Sequence, residues 1–402
     1  MKKLTIGILR EGKMPHDKRV PFTPQQCAEI LHAYPEVSLL IQPCEYRCYS
    51  NDEYKDFGLT LQEDLSSCDI LLGIKEVPKQ DFIAGKTYLF FSHTIKKQAH
   101  NKAMLQEAMR KQLTLLDYEC LTDEQNNRIL GFGRYAGIIG AYSGIVGYGI
   151  KYDLFHLKQA NECRDRIELD EEIKRVRLPN MKILVTGGGR VANGAMEILG
   201  ALKVRKVTPY EFVHYSFREP VYTQVHSKDY NAAKDGTAWN SEHFYANPSE
   251  YRSTFAQYLP HTDLLIHCAF WHPQAPVLFS LEEMKNTTNF HISVIADITC
   301  DINGSIPSTQ RASTIDHPYY GFNPQTLKED VPFSRHTITV MAVDNLPCEL
   351  PRDASEDFGK NMIERVFPSL IGEDSMGIIE RASILKNGAL NGKFTYLQDY
   401  VA

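Results

Sequence analysis

The chain has 402 residues, 43% of them apolar and 23% charged, which is enough to bury two sizeable cores and too apolar for disorder. A net charge of -6 and a pI near 6.2 offer no basic field for nucleic acid, and no run of about 18 apolar residues could span a bilayer. Arg10, Glu11 and Lys13 interrupt the apolar stretch that follows Met1-Lys2-Lys3 too early for a signal peptide, so a cytoplasmic protein is expected.

The nine cysteines are scattered singly, without a C-x-x-C pair. Nothing beside Cys44 and Cys48 completes a zinc set, so neither a structural disulfide nor a metal site is expected.

In chain order, Leu4 to Leu9 reads as a first strand ending at Arg10. Thr23-Pro24-Gln25-Gln26 then opens a helix, with Thr23 as N-cap, Pro24 at the first helical position and Gln26 closing a capping box. Apolar runs follow at Ser38 to Gln42, Asp69 to Ile74, Thr87 to Phe91 and Leu113 to Leu116, with a helix over Gln98 to Lys111. Strands alternating with helices predict a mostly parallel α/β sheet, whose ligands sit beyond the carboxyl ends of the strands. The residues just after each run are therefore informative: Arg10 and Arg19, then Lys75, then His93, then Asp117 and Glu119. Two guanidiniums, an amine, an imidazole and carboxylates along one sheet edge suit a small anionic substrate that undergoes proton transfer. Taken singly each has a plain reading: Lys75 as a surface partner of Glu76, His93 as a core histidine, Glu119 as a solvated turn residue.

Gly131 to Gly149 interleaves seven glycines with apolar residues, which predicts a buried, closely packed helix bridging two domains. Lys158 to Arg177 is charged and reads as an exposed helix and connector. Lys182 to Ala195, KILVTGGGRVANGA, then reads as a buried strand, a glycine turn and a helix. Gly187 and Gly189 allow the tight turn and the close approach of a pyrophosphate, Ala192 stands at the third small position, and Arg190 and Val191 open the helix whose amides would hold the phosphates. Packing alone would also explain such a corner. Arg205 to Thr208 reads as the next strand, which puts Thr208 at the ribose-reading position. A neutral residue there admits a 2′-phosphate and favours NADP(H), whereas Glu211 three residues on could serve NAD(H).

Tyr210 to Pro260 is polar and tyrosine-rich and reads as a long insertion with short helices, about 211–260. Asp263 to Cys268, Ser293 to Ile298 and Thr337 to Val343 read as later strands, with Trp271, Asp297 and Asp301 near strand ends and Asp344 after the last. Helices are expected from about Ala354 to Val366 and from Met376 to Ala389. The fold class expected is α/β: two Rossmann-like domains, a first domain of 1–132 completed by 345–402, and a dinucleotide-binding domain of 133–344 inserted in the middle.

Eight blocks in order, ILREGKMPHDKRVPFTP (8 to 24), LLGIKEVP (71 to 78), TYLFFSHTIK (87 to 96), LLDYECL (115 to 121), GFGRYAG (131 to 137), TGGGRVANGA (186 to 195), ADITCDINGSI (296 to 306) and VDNLPCELPRDAS (343 to 355), carry a resemblance. The chain resembles lysine-forming saccharopine dehydrogenases and, still more, the lysine-ketoglutarate reductase half of the bifunctional aminoadipic semialdehyde synthases, relatives of alanine dehydrogenase and transhydrogenase. The resemblance implies two domains with a cleft between them. It also implies Lys75 and His93 as general acid and base, Glu119 as the acid that modulates them, Arg19 with Lys96 as binders of substrate carboxylate, and Asp344 near the nicotinamide. The reaction it implies condenses L-lysine with 2-oxoglutarate and reduces the imine with NAD(P)H to saccharopine, without the second catalytic half of the bifunctional enzymes. An alanine or opine-type dehydrogenase on the same scaffold, or a non-catalytic nicotinamide-nucleotide-binding protein, are the other readings.

Overall fold

The computed structural model describes residues 3–12, 14 and 16–402, so Met1, Lys2, Lys13 and Pro15 of the stretches quoted above lie outside the described residues. The chain divides into two compact units, 1–132 with 351–402, and 133–350.

The first unit is built on an eight-stranded sheet. Six parallel strands run β1 (Leu4–Ile8), β2 (Val37–Ile41), β3 (Thr60–Leu61), β4 (Ile70–Leu72), β5 (Thr87–Phe90) and β6 (Thr114–Asp117), in spatial order β3-β2-β1-β4-β5-β6. The order reverses between β1 and β4, and a crevice forms at the carboxyl ends of strands at such a switch point. The helix Pro24–Ala33 begins as the sequence dictates: Thr23 accepts the Gln26 N–H at 3.2 Å, and the Gln26 side chain accepts the Thr23 N–H at 3.0 Å.

The C-terminal part of this unit differs from its sequence reading. In place of one helix from Met376 to Ala389 there is a short helix, Ile378–Ala382, followed by antiparallel strands Ser383–Lys386 and Ala389–Leu390, the first of which pairs with β6. Asn387 and Gly388 both have positive φ, 48° and 80°, the two-residue turn that suits a twisted hairpin. Turn chemistry overrode helical periodicity.

The second unit holds β7 (Lys182–Thr186), β8 (Arg205–Lys206), β9 (Val221–Val225), a separate antiparallel pair β10 (Asn231–Ala233) and β11 (Tyr251–Ser253), then β12 (Leu264–His267), β13 (Val294–Asp297), β14 (Tyr319–Asn323), β15 (Lys328–Asp330) and β16 (Ile338–Met341). Its sheet runs β15-β14-β16-β13-β12-β7-β9-β8, parallel from β16 to β8 and antiparallel at the β14 and β15 edge. The switch point falls between β7 and β12. The stretch 211–260, read as an insertion, therefore contains an interior strand: β9 pairs with β7 along its whole length, leaving β8 as a two-residue edge.

The glycine-rich helix Gly133–Lys151 lies wholly within this unit, in place of the bridge read from sequence. Its glycines answer to a backbone-to-backbone contact with the helix Arg190–Ala201. A Cβ at Gly137 would lie 1.8 Å from the Val191 carbonyl oxygen, and one at Gly194 would lie 2.0 Å from that of Arg134. The close contact fixes the helix that follows the glycine turn. All nine cysteines are free, and seven are buried. Among the described residues no helix is long and apolar enough to cross a membrane.

Candidate active site and cofactor site

In the first unit the loop after β1 and the loop after β4 flank the switch point, and a buried carboxylate joins them. Glu11 accepts the N–H of Ile74 on Oε1 at 2.6 Å and the N–H of Lys75 on Oε2 at 2.8 Å. Burial and the nearby Asp17 push the Glu11 carboxyl up to about 8, against the pull of those two N–H donors and of Arg19. One strand further out the construction repeats. Asp117, buried at the end of β6, accepts both the N–H and the hydroxyl of Ser92, at 3.0 and 2.5 Å, and the N–H of Glu119 at 2.7 Å. Burial raises the Asp117 carboxyl, partly offset by the Ser92 and Glu119 hydrogen bonds.

His93 follows Ser92 directly and sits in the left-handed region, φ 52° and ψ 13°, a conformation that costs a non-glycine residue about 1 kcal/mol. Its Nδ1 is 3.4 Å from Glu119 Oε2, and its Nε2 is 3.8 Å from Glu76 Oε1. The other oxygen of Glu119 meets Lys96 Nζ at 3.2 Å and Arg128 at 3.3 Å. Burial opposes charge on Glu119, but the His93 hydrogen bond and the charges of Arg128, Lys96 and His93 prevail and hold the carboxyl down to about 2. His93, Lys96 and Glu119 are thus brought together. Arg128 joins them without having been singled out from sequence, because its neighbours there carry no motif.

Arg19 is placed differently. It is 3% exposed, forms a two-pronged pair with Asp17 at 2.9 and 2.6 Å, and lies 4.1 Å over the Phe132 ring, which stacks on Phe358. Arg10 pairs with Glu63 on the surface.

In the second unit the turn after β7 has the shape that a phosphate cradle needs. Gly187 has φ +90°, and a Cβ there would meet the backbone of Cys268 and Ala269 at 3.2 Å. A Cβ at Gly188 would lie 2.6 Å from the His226 ring, whereas one at Gly189 would meet nothing within 4 Å. Gly189 is also the N-cap of the 12-residue helix Arg190–Ala201 and leaves its first amides without a side-chain cap. A cleft of about 630 Å³ opens here, lined by Gly187, Gly189, Arg190, Val191 and, just past β9, His226 to Lys228. These residues fit a dinucleotide pyrophosphate.

Thr208 does not line this cleft. It caps the helix Pro209–His214, its hydroxyl and N–H both donating to Glu211 at 2.8 Å, so the two residues weighed for ribose recognition engage each other. β9 lies next to β7, and His226, Ser227 and Lys228, just past its end, stand on the cleft wall. Asp344 stands exposed after β16, at the same sheet edge.

Two family models match most of the chain. The alanine dehydrogenase/PNT N-terminal domain matches residues 7–139, and the alanine dehydrogenase/PNT C-terminal domain matches residues 173–396. The chain belongs to the alanine dehydrogenase/PNT family. Within that family of oxidoreductases it is saccharopine dehydrogenase-like. It is 29% identical to an alpha-aminoadipic semialdehyde synthase of Arabidopsis thaliana over 98% of this chain and 41% of that protein. It is 28% identical to the mitochondrial one of Rattus norvegicus over 98% of this chain and 48% of that protein, so it spans less than half the length of these synthases. It is 26% identical to a saccharopine dehydrogenase (NAD(+), L-lysine-forming) of Yarrowia lipolytica, over 90% of each chain. Among solved structures, an L-alanine dehydrogenase shares the fold of the alanine dehydrogenase/PNT family with it at a TM-score of 0.62 and 15% identity, covering 99% of this chain and 100% of that one.

Proposed function

We propose that the chain condenses L-lysine with 2-oxoglutarate and reduces the resulting imine with NADPH to saccharopine. The observation that carries this reading is the grouping of His93, Glu119, Lys96 and Arg128 one strand from Lys75 at the carboxyl edge of the first sheet, in a chain akin to saccharopine dehydrogenases. The ε-amine of lysine must be neutral to attack the ketone, and the carbinolamine oxygen must gain a proton to leave as water. Lys75 and His93 supply the base and the acid for these transfers. Glu119, held ionised, offsets the positive charge that accumulates on His93. Lys96, half exposed, binds a substrate carboxylate; Arg19 already holds the carboxylate of Asp17 and joins by exchanging it. When bound, the reduced nicotinamide supplies the hydride to the imine carbon.

The end of β9 supports NADP(H) over NAD(H). Ser227 and Lys228 offer a hydroxyl and a cation to a 2′-phosphate, while Asp229, the acid that would bind a bare 2′-hydroxyl there, accepts the His226 N–H at 2.7 Å. Asp344 is assigned to the nicotinamide end of the cofactor.

Loss of reduced-nicotinamide absorbance tests the reading. NADPH should be consumed only when lysine and 2-oxoglutarate are both present, and His93→Gln should slow consumption roughly 10- to 10³-fold, the scale of a lost acid or base group. Consumption with pyruvate and ammonia instead would replace the substrate assignment with that of an alanine dehydrogenase.

A further inference from the structure

Neither proposed base stands on a regular element. Lys75 lies past the end of β4, and His93 lies past the end of β5 in the left-handed region, which is uncommon for a non-glycine residue. Something must hold each loop, and in both cases it is a buried carboxyl group from a neighbouring strand end. Glu11 bridges from the β1 loop to the N–H groups of Ile74 and Lys75, and Asp117 bridges from β6 to the N–H and hydroxyl of Ser92. Both oxygens of Glu11 are used, one on each successive amide, so the orientation of the Ile74–Lys75 peptide is fixed and not merely its position. The Glu11 loop is itself anchored, since the Tyr46 hydroxyl donates to the Glu11 carbonyl and the Tyr46 ring stacks on His16 at 3.6 Å.

The structure assigns Glu11 as the positioning residue for Lys75: its two carboxyl oxygens grip the two amides that set where the Lys75 side chain leaves the backbone. Asp117 does the same for His93 through Ser92. Neither acid is placed here in contact with substrate, so the effect runs through the groups they hold. The assignment of Lys75 as a catalytic base rests on the proposed function above, but the grip itself does not.

Glu11→Gln keeps the size of the side chain and replaces one acceptor oxygen with an amide that turns its own hydrogens toward an N–H. One of the two backbone bonds is lost. The test measures the rate at which an amine-reactive reagent labels Lys75 in the folded protein, by mass spectrometry, with Lys96 labelling as the internal standard. The Lys75-to-Lys96 ratio is expected to change at least about threefold in Glu11→Gln. In the same variant kcat with lysine and 2-oxoglutarate should fall about 10- to 100-fold, while KM for NADPH stays within about twofold. Glu11→Asp, which draws the carboxylate back by one methylene, serves where the glutamine variant does not fold and should move the ratio in the same direction. An unchanged labelling ratio in a folded variant overturns the assignment whatever happens to turnover. If the wild type fails to turn over these substrates, the proposed function falls, and the labelling ratio alone still decides the role of Glu11.

Discussion

His93 Nδ1 lies 3.4 Å from Glu119 Oε2, across two adjacent strand ends, and the opposite oxygen of that carboxylate is shared by Lys96 and Arg128. One acid therefore sits among three groups that carry or can carry positive charge. Its pKa, depressed from 4.5 to about 2, has a consequence for stability as well as for catalysis.

A carboxyl whose folded pKa is depressed stabilises the fold above the unfolded value, and that stabilisation is lost as pH falls through the folded value. For Glu119 it is complete above about pH 4.5 and fades between there and about pH 2. Glu119→Gln should cost about 1–3 kcal/mol at pH 7 after allowance for partial solvent screening, and less at pH 3.5. Urea unfolding of both proteins at the two pH values measures the difference. A cost that is the same at both would separate the carboxylate from the electrostatics assigned to it.

The proposed preference for NADP(H) rests on Lys228, which stands on the cleft wall. A charge-assisted contact between Lys228 and a 2′-phosphate would contribute about 1.5–3 kcal/mol, so Lys228→Ala should raise KM for NADPH roughly 10- to 100-fold and leave KM for NADH nearly unchanged. Steady-state kinetics with both cofactors decides it. Equal effects on the two would show that Lys228 shapes the cleft without reading the phosphate.

The sequence displayed most of the scaffold, because strand–helix alternation and capping are local. The Thr23–Gln26 box and the end of each of the four parallel strands β1, β4, β5 and β6 could be read within a few residues. The grips on the loops could not. Glu11 and Lys75 are 64 residues apart, and Ser92 and Asp117 are 25 apart; their pairing depends on which strands are neighbours, and that is a property of the sheet. That the cleft wall is built by His226 to Lys228 and not by Thr208 has the same cause. The V-Y-T-Q-V run lies inside a polar, tyrosine-rich stretch, and only strand order shows that it lies against β7. The Asn387-Gly388 hairpin, by contrast, was legible in principle: the dipeptide is a strong turn signal that helical spacing around it concealed.

Two glycines of one helix should respond to alanine in opposite ways. A Cβ at Gly194 would stand 2.0 Å from the Arg134 carbonyl oxygen, so Gly194→Ala forces the helices Gly133–Lys151 and Arg190–Ala201 apart and should cost about 1–3 kcal/mol or more. At Gly200 a Cβ meets nothing within 4 Å, and Gly200→Ala should gain up to about 1 kcal/mol from helix propensity. Denaturant midpoints of the two variants test the close contact directly. A neutral Gly194→Ala would mean that the backbones do not touch as described.

Glu349 gives the opposite pH signature to Glu119. It is 3% exposed, its carboxylate takes the Asn161 N–H, and among the described residues its Oε1 meets no hydrogen-bond partner. Burial pushes its pKa from 4.5 up to about 8, with that single hydrogen bond opposing. A group whose folded pKa is raised contributes most below its unfolded value, and the contribution is lost as pH climbs to the folded value. The wild type should therefore lose stability progressively between about pH 4.5 and 8 on account of this one residue, by on the order of a few kcal/mol. Glu349→Gln carries no titrating proton and escapes that loss. Its stability advantage over the wild type should grow from pH 5 to pH 8 and level off above. Thermal or urea unfolding across that range reads the trend, and a constant difference between the two proteins would mean that Glu349 is ionised in the fold throughout.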